Sequence, residues 1–484
     1  MAAAKNYETR LFINNEFVDA KSGQTFSVYD PADDSLVTDK VQIAGEADVD
    51  AAVDAAHAAY KGAWGAMTGA ARGACLMKFA ELVEQKAAEV APLETVSMGV
   101  PVAIGGMLMP MVSAIFKYYA GWADKISGEA PPTDDGTYKI MRYEPFGVCA
   151  GIGAWNATLL YLAAKAAPAL AAGNTFVFKA SELAPLAVLA VAPLIKEAGF
   201  PPGTINIING DGKTGALLAS HMKIGMISFT GSVPTGRKIQ DAANKSNMKK
   251  VTLELGGKSP SVIFDDADIE NALAQTAQSV IMLTGQACTA ASRTYVQEGI
   301  ADKFIAALKD RFAGMSAAIG DPKQPTTMFG PLASKGQFNR VMAMIESGKK
   351  EATLLTGGTR KGDTGNYVEP TIFLNPAKDA QIYKEEIFGP VTAVKTFKTE
   401  EEAIEMANDT QYGLAACVYT SSVSRALRVS SKLEAGTVTV NQAFMPSIYT
   451  AFGGYKQSGS GREMGGHGVL EYLQMKSVII NMAV

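Results

Sequence analysis

From Asn174 to Ser246 the sequence switches repeatedly between two hydrophobic periods. "NTFVFKAS", "GTINIING" and "KIGMISFTGS" are short apolar runs closed by Gly, Ser or Asn and read as buried strands. "APLAVLAVAPLIKEAG", "GKTGALLASH" and "PTGRKIQDAANKS", which follow them in turn, read as helices. Strand followed by helix at this pitch builds a parallel sheet, and such sheets hold ligands where their strands end at the carboxyl edge. The expected fold class is therefore α/β, and its candidate site lies along that edge.

A chain of 484 residues is too long for one core, so two or three units are expected. "LFINNEFVDAKSGQTFSVYDP" reads as an N-terminal hairpin turning at Asn-Asn. "EADVDAAVDAAHAAYKGAW" and "ARGACLMKFAELVEQKAAEVAPLE" read as two surface helices. After the polar break "SGEAPPTDDG", the run "TYKIMRYEPFGVCAGIG" reads as a strand pair. From "DADIENALAQTAQSVIMLTGQAC" the alternation restarts through "TYVQEG", "ADKFIAALKDRFAGM" and "ATLLTGG", a second α/β unit. The apolar end "SVIINMAV" would be an aggregation-prone edge unless it is paired, which points to an oligomer.

Several function classes lose support. A net charge of -4 provides no field for nucleic acid or an anionic membrane. Cys75, Cys149, Cys288 and Cys417 form no zinc or disulfide spacing, which fits a reducing compartment. The N-terminus lacks a secretory or import pattern, so a cytoplasmic protein is expected. "NGDGKTG" and "LGGKS" resemble phosphate-loop endings, but the glycine that G-x-x-x-x-G-K-S/T requires is replaced by Ile207 and Thr252. "GIGAWN" has Asn156 where a dinucleotide fingerprint has its last glycine. His57, His221 and His467 show no HExxH spacing, and no metal is expected.

What remains is a lone thiol in an open setting. Cys288 lies in "LTGQACTAASRTYV" among small and polar residues, although a cysteine by default is a buried apolar residue. Upstream, "VTLELGGKSP" places Glu254 between two leucines, where poor solvation raises a carboxylate toward general-base range. Cysteine with a carboxylate and no histidine partner points to a thiolate attacking a carbonyl, stabilised by nearby N-H groups. Asn156 is either a turn residue or the amide donor for the resulting oxyanion. At the sheet edge, Gly231, Ser232 and the following helix start suit a pyrophosphate. Lys179 and Glu182 suit a ribose, the carboxylate favouring NAD over NADP.

These fragments occur in a fixed order: Trp155-Asn156, "KASE" at 179–182, "FTGS" at 229–232, "LELGGKSP" at 253–260, "GQAC" at 285–288, "EEIFGPV" at 385–391 and "FGGYKQSGSGRE" at 452–463. Together they resemble the NAD(P)-dependent aldehyde dehydrogenase superfamily over essentially the whole chain, as does the 34-residue separation of Glu254 and Cys288. The resemblance implies a Rossmann-like cofactor domain (1–124 and 147–254), a catalytic domain (255–453) and a small β oligomerisation arm (125–146 and 468–484). It implies Cys288 as nucleophile, Asn156 and the Cys288 N-H as oxyanion hole, Glu254 as hydrolytic base, and Lys165 with Glu463 as proton exit. The implied cofactor is NAD, with NADP left open, held by Trp155, Lys179, Glu182, Gly212, Phe229, Gly231, Ser232, Leu255, Glu386 and Phe388. The implied partners are a small aldehyde and further copies of the chain, as a homodimer or homotetramer.

The run after Asn156 departs from the family, since Ala157 and Ala164 stand where many relatives carry larger side chains. Ala157, Tyr161, Ala287, Thr289, Ile448, Tyr449 and Phe452 are then expected to wall an apolar tunnel suited to an aromatic or bulky apolar aldehyde. An aliphatic or amino-aldehyde, or a CoA-acylating or phosphorylating reaction, is the alternative within this chemistry. A structural protein that has lost turnover is the alternative outside it.

Overall fold

The computed structural model describes residues 7–482. Its first sheet has eight strands, and the five central ones are parallel: Lys250–Glu254, Ile224–Thr230, Val148–Ile152, Thr175–Lys179 and Ile205–Ile208, in that spatial order. Of these five, Val148–Ile152 comes first in the chain, and the rest are added outward first to one side, then to the other. The strand order therefore reverses beside Val148–Ile152, the point at which an open α/β sheet forms a ligand crevice. The hairpin Leu11–Ile13 and Glu16–Val18 closes one end antiparallel, through Asn14 and Asn15 at φ 58° and 65°. Gly459–Ser460 closes the other beside Glu254.

Helices cover both faces, as fully apolar strands require. On one face Thr158–Ala171 and Leu186–Glu197 pack with Phe79, Phe116, Phe176 and Phe178. On the other, Val49, Val53, Leu218, Ile239 and Leu255 pack on Val148, Val177 and Ile227. The helix Val102–Ala120 is long and apolar enough to cross a membrane, yet Met109, Val112, Ile115, Phe116 and Tyr119 are buried in the first of these cores.

The second sheet has seven strands and its own core. Pro260–Ile263, Arg293–Gln297, Val391–Phe397 and Ala415–Tyr419 form its parallel centre. The α/β expectation thus holds for both units.

Two local expectations differ. The stretch 71–94 is not one helix: Gly69–Gln85 ends at Lys86, and Ala87–Met98 follows with Pro92 inside it. The second helix buries Val90, Ala91, Glu94 and Met98. The expected strand pair within 137–153 also separates. Val148–Ile152 enters the parallel sheet, whereas Thr137–Pro145 pairs antiparallel with Leu473–Asn481 along its whole length. The positive φ of 105° at Gly147 redirects the chain between them. Residues 1–6 and 483–484, at the outer limits of the expected cofactor domain and arm, lie outside the described residues.

Candidate active site

Asn156 lies in the short turn Trp155–Ala157 beyond the carboxyl end of Val148–Ile152, and the helix Thr158–Ala171 that follows carries Tyr161 and Lys165. Glu254 ends the strand Lys250–Glu254. Cys288 comes from the second unit, after the turn Met282–Gly285. Leu283, Thr284 and Gly285 in that turn all have left-handed φ, of 52°, 58° and 72°. Such backbone costs about 1–3 kcal/mol at each non-glycine residue and persists only when its surroundings hold it. Here the Thr284 hydroxyl donates to Gly330 O at 3.0 Å, and the Gln286 amide donates to Leu283 O at 3.0 Å. Gln286 also accepts the Ala333 N-H at 2.9 Å. A Cβ on Gly285 would stand 2.1 Å from Gly389 O, so no other residue fits there.

Asn156, Glu254, Cys288 and Glu463 line one cavity of about 530 Å³. Burial, then the charges of Glu386 and Glu254, push the Cys288 thiol up; the backbone N-H groups of Cys288 and Thr289 oppose this only partly. Desolvation and the two carboxylates thus raise the thiol, while the N-H groups expected to favour its thiolate act in the opposite direction. Burial, followed by the Glu463 charge, also raises Glu254 well above the carboxylate range, and its Oε2 is buried without a hydrogen-bond partner. Among the described residues Glu254 forms no ion pair, and its proton affinity is raised in the direction that general-base chemistry needs. Lys165, fully buried, donates to Glu463 Oε1 at 2.6 Å and to Ser228 Oγ at 2.9 Å. The Asn156 amide donates to Gln286 O at 2.9 Å, which leaves its second N-H.

The other expected residues collect along the sheet edge. Glu386 accepts the Gly257 N-H at 3.0 Å, and burial raises it to about 7. A Cβ on Gly256 would stand 2.2 Å from Glu386 Oε2, and one on Gly257 would stand 2.3 Å from Cys288 O. The glycine pair thus lets the Glu386 carboxylate and the Cys288 backbone close on one strand end. Trp155 and Phe388 meet edge to face at 5.3 Å. Lys179, buried, donates to Ala180 O at 3.0 Å and pairs with half-exposed Glu182 at 3.4 Å. Ser232 starts the helix Val233–Lys245 without a side-chain cap, so its first N-H groups stay available. Gly231 packs against the Phe229 ring, and Gly236 against Leu255. Gly212 opens a helix already capped by Asp211, and open space surrounds it. This set fits a dinucleotide: free helix N-H groups for a pyrophosphate, a lysine and two carboxylates for riboses, and an aromatic pair at Trp155 and Phe388.

Of the expected tunnel wall, Ala157, Tyr161, Ala287, Thr289 and Phe452 line the cavity. Ile448 and Tyr449 do not. Ile448 packs on the first core, and Tyr449 is 73% exposed with its ring against Tyr118. The wall that sequence reasoning missed is rich in thioethers: Met107, Met111, Met282, Met315, Met328 and Met445, with Phe329 and Phe444. The dense "GGMLMPM" beginning at Gly105 was the available signal. Gln286, inside the "GQAC" motif, and Ser228, just before "FTGS", were not singled out, because a polar residue in sequence carries no mark of its partner.

A model of the aldehyde dehydrogenase family matches residues 17–478. An aldehyde dehydrogenase of Emericella nidulans is 47% identical over 97% of this chain and 94% of its own length. Human retinal dehydrogenase 2 is 46% identical over 98% of this chain and 92% of its own. Among solved structures, a mutant indole-3-acetaldehyde dehydrogenase of P. syringae in complex with NAD+ and IAA superposes with a TM-score of 0.96. It is 39% identical and covers 99% of this chain and 97% of that one.

Proposed function

This chain belongs to the aldehyde dehydrogenase family, and on that premise we propose that it oxidises an aldehyde with NAD and water to the carboxylic acid through a covalent intermediate on Cys288. The observation that carries this reading is the meeting of Cys288, Asn156 and Glu254 in one cavity with the Lys165–Glu463 pair behind them.

Cys288 loses its thiol proton to solvent, and its Sγ attacks the aldehyde carbon as the carbonyl π electrons move to oxygen. The carbonyl oxygen becomes an oxyanion, met by the free N-H of Asn156 and by the Cys288 N-H. NAD, when bound along the sheet edge, supplies the hydride acceptor. Loss of hydride leaves a thioester on Sγ, and Glu254 takes a proton from the water that hydrolyses it. The Ser228–Lys165–Glu463 contacts offer a buried route for that proton. Trp155, Phe388 and Glu386 hold the nicotinamide end, Lys179 and Glu182 the adenosine ribose, and the Ser232 helix start with Gly231 the pyrophosphate. Glu182 selects NAD by repelling a 2'-phosphate.

We assign 1–124 and 147–254 to a cofactor domain, 255–453 to a catalytic domain and 125–146 with 468–484 to an arm; the separation of the two large sheets and of the pair Thr137–Pro145 and Leu473–Asn481 supports this, with Gly459–Ser460 returning to the first sheet. An aromatic or bulky apolar aldehyde suits the cavity, since Glu254 and Glu463 are its only ionisable carboxylates and the remaining wall is mainly Met, Leu and Phe. The similarity to the retinal and indole-3-acetaldehyde enzymes points the same way. Cys288→Ala is expected to abolish aldehyde-dependent NADH formation while leaving NADH binding, followed by fluorescence titration, intact. Substantial remaining turnover across an aldehyde panel would refute the reading. Product analysis giving free acid with no dependence on CoA or phosphate separates it from acyl-transfer relatives.

A further inference from the structure

Tyr161, five residues after Asn156, lines the same cavity, but its hydroxyl also donates to Asn156 Oδ1 at 3.0 Å. The opposite end of that amide donates to Gln286 O, two residues before the nucleophile. A main-chain carbonyl can only accept, so the amide must present its NH2 group to Gln286, and the Tyr161 O-H must then donate to Oδ1. Flipping the amide would set two acceptors against each other at Gln286 and leave the tyrosine proton without its acceptor.

We propose that Tyr161 is a positioning residue for the oxyanion hole: its hydroxyl fixes the orientation of the Asn156 amide and, through Gln286, ties the Lys165 helix to the loop that carries Cys288. The proposal rests on the reading of Asn156 given above. Gln286 is itself held at both ends of its side chain, by Leu283 O and the Ala333 N-H, so the chain of contacts terminates in fixed backbone. Burial, and then any charge on Cys288, Glu463 or Glu254, holds the Tyr161 hydroxyl well above its ordinary range and so favours its donor form. A tyrosine that ionised would lose the donor on which the amide depends. None of this needs contact between Tyr161 and the reacting carbon, so its effect should be the same for every aldehyde. A residue that only shapes the wall would act selectively.

The test is a double-mutant cycle on the single-turnover rate of NADH formation, using acetaldehyde and 2-naphthaldehyde, with Tyr161→Phe, Asn156→Ala and the double variant. Tyr161→Met serves as a second donor-free variant of different shape. Thermal melting and NADH binding establish that each variant is folded. The expected result is an about tenfold slower rate in Tyr161→Phe and Tyr161→Met for both aldehydes, one hydrogen bond's worth, with KM little changed. No further loss is expected when Tyr161→Phe is added to Asn156→Ala. A parent rate in Tyr161→Phe, an equal loss in the Asn156→Ala background, or a loss confined to 2-naphthaldehyde would overturn the proposal. A parent rate in Asn156→Ala alone would overturn the reading of Asn156 and the proposal with it.

Discussion

Cys288 and Glu386 are coupled electrostatically across Gly256 and Gly257. The Glu386 carboxylate is held to the Gly257 N-H, and its charge follows burial as a cause of the raised thiol. Removing that charge stabilises the thiolate, so Glu386→Gln should move the pH profile of Cys288 alkylation to lower pH. Iodoacetamide labelling read by peptide mass spectrometry measures this in the cofactor-free enzyme, where Cys75, Cys149 and Cys417 are buried. An unmoved profile would show that the two groups are not coupled. Glu386 itself, raised to about 7, accepts hydroxyl hydrogen bonds best when ionised. Cofactor affinity should accordingly weaken as pH falls through about 7, and in Glu386→Gln that dependence should disappear.

Among the elements, the helix Ala87–Met98 bears on the site without touching the cavity. Its Glu94 is buried, has an unpartnered Oε1 and accepts from the Leu159 N-H at the start of the Lys165 helix. Burial raises this carboxyl to about 8 from an ordinary 4.5. The folded protein therefore holds a proton that the unfolded chain releases, and this contribution to stability declines as pH rises from 4.5 through about 8. Glu94→Gln should melt higher than the parent at pH 9 and close to it at pH 5, as measured by calorimetry. An equal loss at both pH values would mean that the carboxyl is needed for its contacts rather than burdened by its charge.

Elements with strong periodicity were legible in the sequence: the strands ending at Lys179, Thr230 and Glu254, and the helices between them. What escaped was set by contacts distant in the chain. The break at Lys86 separates two helices, the second of which carries Glu94 to Leu159, and nothing local marks it. Val148–Ile152 leaves the strand before it because Ile224–Thr230 and Thr175–Lys179 pair with it. The same holds at the site. Cys288, Glu254 and Asn156 stand in motifs, whereas Met107 and Met111 look like an ordinary helix face until the fold brings Met282, Met328 and Met445 opposite them. Ile448 and Tyr449, adjacent to Phe452 in sequence, point elsewhere.

For the whole molecule, Thr137–Pro145 and Leu473–Asn481 form a two-stranded sheet separate from both larger ones. Met475, Ile479 and Ile480 are exposed on it, and an isolated two-stranded ribbon is marginal in water. We propose that this ribbon is completed by another copy of the chain. Ile479→Lys combined with Ile480→Lys should lower the mass found by light scattering; an unchanged oligomer would place the interface elsewhere. Turnover as proposed depends on covalent chemistry at Cys288 resolved by Glu254. A single mixing of Glu254→Gln with aldehyde and NAD, reading both NADH and the mass of the peptide containing Cys288, tests this. The expected result is a burst of one NADH per subunit followed by a stall, with an acyl mass retained on Cys288. Steady turnover at the parent rate with unmodified Cys288 would contradict it.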